Sequence, residues 1–259
     1  FYGVPTLYGA MLADAGNDRS QVSDQLRLCV SAGEALPEEV GRDWERRFQV
    51  PILDGLGSTE MLHIFLSNQP GDIRYGSSGK PVPGYELRIV GENDIEVPAG
   101  EIGELLVCGP SSASCYWNQR DKSLNTFQGE WTRSGDKYYL DEEGYYCYCG
   151  RTDDMLKVSG IWVSPFEVES ALLGESRVLE AAVVGQEDDQ GMVKPKAVIV
   201  LQEGVTASPN LVAELQAFVK DRLAPFKYPR WIEFVDELPK TATGKIQRFK
   251  LRAQNQKTN

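Results

Sequence analysis

The sequence predicts an α/β fold built in three stretches: an α/β layer, a small antiparallel barrel-like unit, and a compact α+β unit at the C-terminal side. Three observations predict it. A helical pattern over residues 36–48 runs directly into a short apolar strand over 50–55 that ends in a glycine turn. Residues 71–150 carry short strand-like segments between Gly, Pro, Asn and Asp turns. Beyond residue 154, two Ser-Pro openings start helices that alternate with strands.

Taken in order, "LRLCV" reads as an apolar strand and "LPEEVGRDWERRF" as a helix with Pro37 near its first turn. "VPILDG" follows as a buried strand, so the turn after it lies at the end of the sheet where open α/β folds bind ligands. "YELRIV", "GELLVCG", "KYYLD" and "YYCYCG" are the strands of the antiparallel unit, and "MLKVSGIWV" reads as one more strand. "SPFEVESALL" opens a helix with Ser164 as N-cap, Pro165 first and Glu167 third, the pattern of a capping box. "VLEAAVVG", "KPKAVIVL" and "WIEFV" are strands. "SPNLVAELQAFVKDRL" is a helix capped by Ser208, with Leu211, Leu215 and Val219 on its apolar face. The boundary is expected near Arg151, giving domains 1–152 and 153–259.

With 259 residues, 41% hydrophobic, and a net charge of -11, the chain has globular composition. That balance argues against a general nucleic-acid binder or a partner of anionic membranes. No apolar run is long enough to span a bilayer, and no signal peptide is recognisable. The five cysteines, Cys29, Cys108, Cys115, Cys147 and Cys149, form no CxxC pair, and there is one histidine. Reduced core thiols in a cytoplasmic protein are expected, and a zinc site is not.

Three stretches carry chemistry. In "DGLGSTEM", Gly55 and Gly57 allow close backbone approach, Ser58 and Thr59 supply hydroxyls for phosphate oxygens, and Glu60 supplies a carboxylate for Mg²⁺. The alternative is an ordinary glycine turn. In "SAGEALP", Gly33 and Ala35 leave a flat slot for a planar ring, or only make a tight strand-to-helix turn. In "TRSGDKYYLDEEGYYCYCGRTDDMLKVSG", Asp136 sits on an expected turn and can accept two vicinal hydroxyls, while Arg151 can bind the same sugar or a phosphate. "LPKTATGKIQR" adds Lys245 behind a glycine on a pliable loop, with Lys240 as a surface or secondary contact.

These segments, in this order and joined by "GKPVPGYELRIV" and "GEIGELLVCG", resemble the late core motifs of the adenylate-forming superfamily of acyl- and aryl-CoA synthetases, adenylation domains and luciferases. The resemblance covers essentially the whole chain. "FYGVPTLYGAML" and "GLGSTEMLHIFLSN" resemble the benzoate-CoA ligase group of aryl-CoA ligases. The resemblance implies an ATP-dependent, AMP-forming ligation of an aryl carboxylate to coenzyme A through an acyl-adenylate, with Mg²⁺. It implies that Ser31, Gly33, Glu34, Ala35, Asp54 and Gly55 line the adenine site, and that Thr59 meets the AMP phosphate. Glu60 would assist the metal, Asp136 and Arg151 would hold the ribose, and Asp153 would be the hinge of a mobile C-terminal domain. Gly160 would approach the pantetheine arm, and Lys245 would reach the carboxylate and α-phosphate.

The aryl pocket would be lined by Gly57, His63 and Ile64; His63 could instead be a structural histidine behind the loop. Trp162 would wall the pantetheine tunnel, face the domain interface or pack in a core. The family's phosphate loop does not precede Phe1, so the chain reads as the C-terminal part of a longer protein, inactive alone, with its Phe1–Arg151 part poorly soluble in isolation and its small C-terminal domain able to fold by itself. Two other functions stand beside the ligase: an adenylation domain that loads a carrier-protein thiol, and a non-catalytic module that keeps the fold. The polar tail with no carrier domain after it favours free coenzyme A. Monomer and homodimer are both open, and acylation of Lys245 would block adenylation and spare the thioester step.

Overall fold

The computed structural model describes residues 1–241 and 244–255. Its first elements are β1 (Tyr2–Gly3), α1 (Pro5–Ala13), β2 (Cys29–Ser31), α2 (Glu38–Phe48), β3 (Ile52–Gly57), β4 (Ile64–Ser67) and β5 (Lys80–Pro81). β1, β2 and β3 run parallel; β4 and β5 continue the same sheet antiparallel. Helix α2 starts just after Pro37, with Glu38 and Glu39 in its first turn and Arg46 and Arg47 in its last, matching the helix dipole at both ends. It buries Gly41, Trp44 and Phe48, one face at helical spacing. Trp44 packs against Phe48 and the edge of Tyr8, over the strand residues Cys29 and Ile52.

The antiparallel unit contains β6 (Glu86–Val90), β7 (Gly103–Cys108), α3 (Arg120–Thr126), β8 (Phe127–Gln128), β9 (Trp131–Leu140) and β10 (Tyr146–Arg151). Its strands form an open sheet in the order β10-β9-β7-β6, with β8 also on β9. Met61 of the β3–β4 turn and Phe65 and Leu66 of β4 share one core with Ile89, Leu105, Val107, Tyr138 and Tyr146. That shared core holds the turn between β3 and β4, because Met61 in the middle of it is fully buried.

Residues Phe1–Asp153 make one unit and Asp154–Asn259 another. The second opens with β11 (Leu156–Val158) and β12 (Ile161–Val163), an antiparallel hairpin where the sequence suggested a single strand. Ser159 and Gly160 turn it with φ of 51° and 86°, the left-handed pair that two-residue hairpins use. Next come α4 (Pro165–Leu173), β13 (Val178–Glu187), β14 (Val193–Leu201), α5 (Pro209–Lys220), β15 (Trp231–Phe234) and α6 (Arg248–Asn255).

β13 and β14 pair antiparallel, β14 and β15 parallel. Ala181, Val183, Ala197 and Ile199 face Val168 and Leu172 of α4 and Leu211, Leu215 and Val219 of α5. Ala182, Val184, Val198 and Val200 face Leu238 and Leu251.

The helix starts follow the sequence. Ser164 Oγ accepts from Glu167 N at 3.0 Å, and Ser208 Oγ from Leu211 N at 3.1 Å. The reciprocal half of the capping box is diverted: the Glu167 carboxylate binds Lys227 Nζ at 2.6 Å. No disulfide joins the five cysteines, but only Cys29, Cys147 and Cys149 are core thiols; Cys108 is half-buried and Cys115 is exposed. Among the described residues no helix is long and apolar enough to cross a membrane.

Candidate functional site

The parallel pairing of β3 ends at Asp54; the strand runs on to Gly57, the chain turns through residues 58–63, and it returns antiparallel as β4. The turn is internally bonded: Ser58 Oγ accepts from Met61 N at 3.2 Å, and Leu62 N donates to Thr59 O at 3.3 Å. Thr59 is exposed and Glu60 half-buried. A Cβ on Gly57 would lie 2.7 Å from His63 O, so glycine is required there by the crossing of the two strands, apart from any slot for a ring. Gly55 is almost as tight, with Leu66 O and the Ile64 side chain 3.0 and 3.1 Å from a Cβ.

Ser31, at the end of β2, and Asp54, inside β3, are the last register partners of the two strands. Both are buried, and Ser31 Oγ and Asp54 Oδ1 have no hydrogen-bond partner. Burial pushes the Asp54 carboxyl up to about 8, against the opposing pull of the Leu36 and Gly55 amides. Gly33 follows in the left-handed region, at φ 97°, and is exposed; Glu34 and Ala35 are half-buried beside it.

Asp136 was expected on a turn. It lies inside β9, directly opposite Arg151 of β10, and is 6% exposed. Arg151 Nη1 donates to Asp136 Oδ1 at 3.1 Å and to Ser134 O at 3.2 Å, and Arg151 Nε sits 3.8 Å from Asp153 Oδ1. Gly135, at φ 73°, makes this possible: a Cβ there would come 2.8 Å from the guanidinium. Burial lifts the Asp136 carboxyl to about 6; Arg151 opposes the rise, while the neighbouring charges of Asp153 and Glu60 add to it. Asp136, Arg151, Asp153 and Glu60 thus form one electrostatic cluster.

Glu60 accepts from the hydroxyl of Tyr116, a residue 56 positions away that no local sequence pattern marks. Despite part burial its carboxyl is lowered, through that hydroxyl, Ser58 and the charge of Lys122, whose Nζ lies 4.0 Å from the Tyr116 ring centroid. Among the described residues no three carboxylate, His or Cys side chains gather into a metal site. A lone ionised glutamate fits Mg²⁺, which keeps its waters and takes most other ligands from substrate phosphates.

His63 is exposed rather than buried behind the loop. Its Nδ1 donates to Ile64 O at 2.7 Å, and its Nε2 bonds the Tyr85 hydroxyl at 3.0 Å. Tyr85 in turn meets Ser111 Oγ at 2.7 Å, and Ser111 Oγ donates to Met61 O at 2.7 Å. These hydroxyls orient the imidazole at the start of β4, and the sequence alone did not single them out.

Lys245, Gly160 and Trp162 belong to the second unit. Gly160 is exposed at the hairpin turn. Trp162 is half-exposed opposite Lys157, which excludes the core-packing alternative. Lys245 is exposed on a loop closed by Thr241 N donating to Lys245 O at 2.8 Å and by Gln247 N donating to Pro239 O at 2.8 Å. Lys240 is half-buried and ion-paired to Glu180 at 2.6 Å, a firmer role than the surface contact expected of it.

The chain matches two sequence families: AMP-binding enzyme over residues 1–117 and AMP-binding enzyme C-terminal domain over residues 167–245. It is 65% identical to benzoate–CoA ligase of Thauera aromatica, over 98% of this chain and 48% of that protein. It is 57% identical to 4-hydroxybenzoate–CoA/benzoate–CoA ligase of Rhodopseudomonas palustris, over 97% of this chain and 47% of that protein. The crystal structure of the anthranilate CoA ligase AuaEII with anthranoyl-AMP superposes with a TM-score of 0.93 at 52% identity, covering 98% of this chain and 49% of that one. A benzoate CoA ligase from Burkholderia xenovorans gives 0.91 at 57% identity, over 97% of this chain and 50% of that one. The chain spans about half the length of the relatives it matches. Motif order, fold and site geometry converge on one assignment: the chain belongs to the AMP-binding enzyme family.

Proposed function

We propose that the chain is part of an aryl-CoA ligase that joins a benzoate-like carboxylate to coenzyme A with ATP, releasing AMP and pyrophosphate. The observation that carries this reading is the 65% identity to a benzoate–CoA ligase across 98% of the chain. In the first half-reaction a carboxylate oxygen attacks the α-phosphorus, the α–β anhydride bond breaks, and pyrophosphate leaves. In the second, the thiol sulfur attacks the acyl carbonyl, AMP leaves with the bonding electrons, and the thiol proton goes to solvent.

The residues divide the work. Asp136, held by Arg151, accepts the ribose hydroxyls; Ser31 and Asp54, with their unpartnered oxygens, suit the edge of the adenine ring alongside Gly33, Glu34, Ala35 and Gly55. Thr59 stands at the phosphate. Glu60 would hold Mg²⁺, which when bound neutralises phosphate charge. Gly57, His63 and Ile64 border the aryl ring. Lys245 meets the carboxylate–phosphate junction as a compact cation. Asp153 is the hinge between domains 1–152 and 153–259, and Gly160 and Trp162 border the pantetheine arm. A cytoplasmic setting accords with five cysteines that form no disulfide.

The test is pyrophosphate release by the full-length protein with ATP, Mg²⁺ and a panel of carboxylates, followed by thioester formation on adding coenzyme A. Benzoate or a simple substituted benzoate should be preferred over acetate and butyrate. Preference for an aliphatic acid would remove the aryl assignment, and release of pyrophosphate without CoA-dependent thioester would remove the acceptor.

A further inference from the structure

The loop that carries Lys245 is held at both ends by ion pairs, one to strand β13 and one to helix α4. On the incoming side, Lys240 Nζ binds Glu180 Oε1 at 2.6 Å. On the outgoing side, Arg248 donates through Nε and Nη2 to Glu169, at 3.2 and 2.7 Å. Between them, Lys240 and Ile246 face each other as a bridged pair, and Lys245 N donates to Thr241 Oγ1 at 3.1 Å. Leu238 and Ile246 pack on the core face formed by Ala182, Val184, Val198 and Val200.

The position of Glu180 is built by an irregularity. β13 pairs Val178 with Leu201 but Glu180 with Val200, so Leu179 is an extra residue. The bulge changes the parity of the strand. Val178 faces the α4/α5 side together with Ala181 and Val183, and Glu180 faces the side of Ala182 and Val184, which Leu238 and Ile246 cover. Without the bulge, Glu180 would share the face of Val178 and miss Lys240. Glu169 meets the sheet elsewhere, accepting from Val183 N of β13 at 2.7 Å. Two carboxylates, from a strand and a helix, therefore grip the loop on either side of its exposed lysine.

We propose that Glu180 and Lys240, backed by Glu169 and Arg248, are positioning residues that fix the base of the Lys245 loop so that its ammonium arrives in register at the adenylation step. This rests on the role given to Lys245 above. A loop with a free base would sample many lysine positions, and a misplacement of about 1 Å can cost on the order of 100-fold in a step governed by alignment. The Lys240–Glu180 pair is the part-exposed limb, with side-chain exposures of 30% and 27%, so its removal does not strip a core charge.

The experiment measures both half-reactions of the full-length protein: pyrophosphate release with benzoate, and conversion of preformed benzoyl-adenylate and coenzyme A to thioester. Glu180→Gln and Lys240→Met should each slow pyrophosphate release by ~10- to 100-fold and leave the thioester step within about twofold of the parent. The charge swap Glu180→Lys with Lys240→Glu should recover most of the loss, and Glu237→Gln, which removes an exposed carboxylate at the loop entrance, should change neither step. In a Lys245→Ala background, Glu180→Gln should add little further loss, because the lysine it positions is gone. Equal slowing of both half-reactions, or no slowing of either, would overturn the proposal. Slow adenylation by Lys245→Ala beside normal adenylation by Glu180→Gln would overturn the clamp alone. Normal adenylation by Lys245→Ala would overturn the role of the lysine and the clamp with it.

Discussion

Asp54 in the first unit and Glu169 in the second are equally buried, each 4% exposed, yet their surroundings are opposite. Glu169 accepts one backbone amide and two guanidinium hydrogens. Asp54 keeps an oxygen without a partner, faces a serine whose hydroxyl is also unpartnered, and has its carboxyl raised to about 8. Asp136 repeats the pattern in milder form: one exposed-side arginine, a carboxyl lifted to about 6, and like charges nearby. Glu169 thus helps hold the second unit together, although that unit has unpartnered buried oxygens of its own at Ser170, Glu180 and Gln247. Asp54 keeps a buried oxygen under-bonded inside β3, beside Ser31 at the end of β2, and there a polar ligand can supply the missing donor.

The largest test of that contrast removes the cation from Glu169. Arg248→Met should destabilise the second unit by ~3–5 kcal/mol, because a buried carboxylate is left without its counter-charge. Hydrogen exchange at β13 and β14 amides would register it, and unchanged protection would dissolve the contrast. Next, Asp136→Asn should weaken nucleotide binding by ~10- to 100-fold, the cost of losing hydrogen bonds to a charged acceptor. Calorimetry at pH 8 checks this, and an equal affinity would take Asp136 out of the site. Ser164→Ala removes a satisfied cap and should cost the second unit ~1 kcal/mol, read as a lower denaturation midpoint.

The smallest effect is expected from Asp54→Asn, within ~1 kcal/mol of the parent near neutral pH, since the native group is then mostly protonated. The pH dependence is sharper than the magnitude. A carboxyl whose folded value lies above its unfolded one binds more protons when folded, so stability falls as pH rises from about 4 toward 8. Asn should remove that part of the slope. A slope of equal size in the variant would assign it to other groups.

Local chemistry in this chain was readable in the sequence; long-range partnership was not. The caps Ser164 and Ser208 lie three residues from the amides they bind, so their pattern is visible in a short window. The apolar face of α5 and the order of the three motif segments were visible for the same reason. Glu167 left its capping box for Lys227, 60 positions away, and Lys240 found Glu180 at the same separation. Tyr116 reaches Glu60 across 56. No periodicity encodes such pairs. Asp136 was placed on a turn because Ser-Gly precedes it, whereas Gly135 uses its left-handed φ inside a strand to let Arg151 lie across it. The hairpin of β11 and β12 was hidden because Ser-Gly is a weaker turn signal than Asn-Gly within an apolar run. The resemblance supplied candidate roles; the structure supplied the partners that hold those residues in place.

The most direct test of the account is the titration of the Asp136 carboxyl, followed by its carbon-13 shift with and without adenosine, which brings a ribose and a purine but no phosphate. The account predicts a midpoint near about 6 in the free protein and a fall of about one unit or more when vicinal hydroxyls donate to the carboxylate. Nucleoside affinity should correspondingly strengthen as pH rises through that midpoint. A midpoint that stays in place or climbs when adenosine binds would contradict the claim that the Asp136 carboxylate accepts the ribose hydroxyls of the nucleotide.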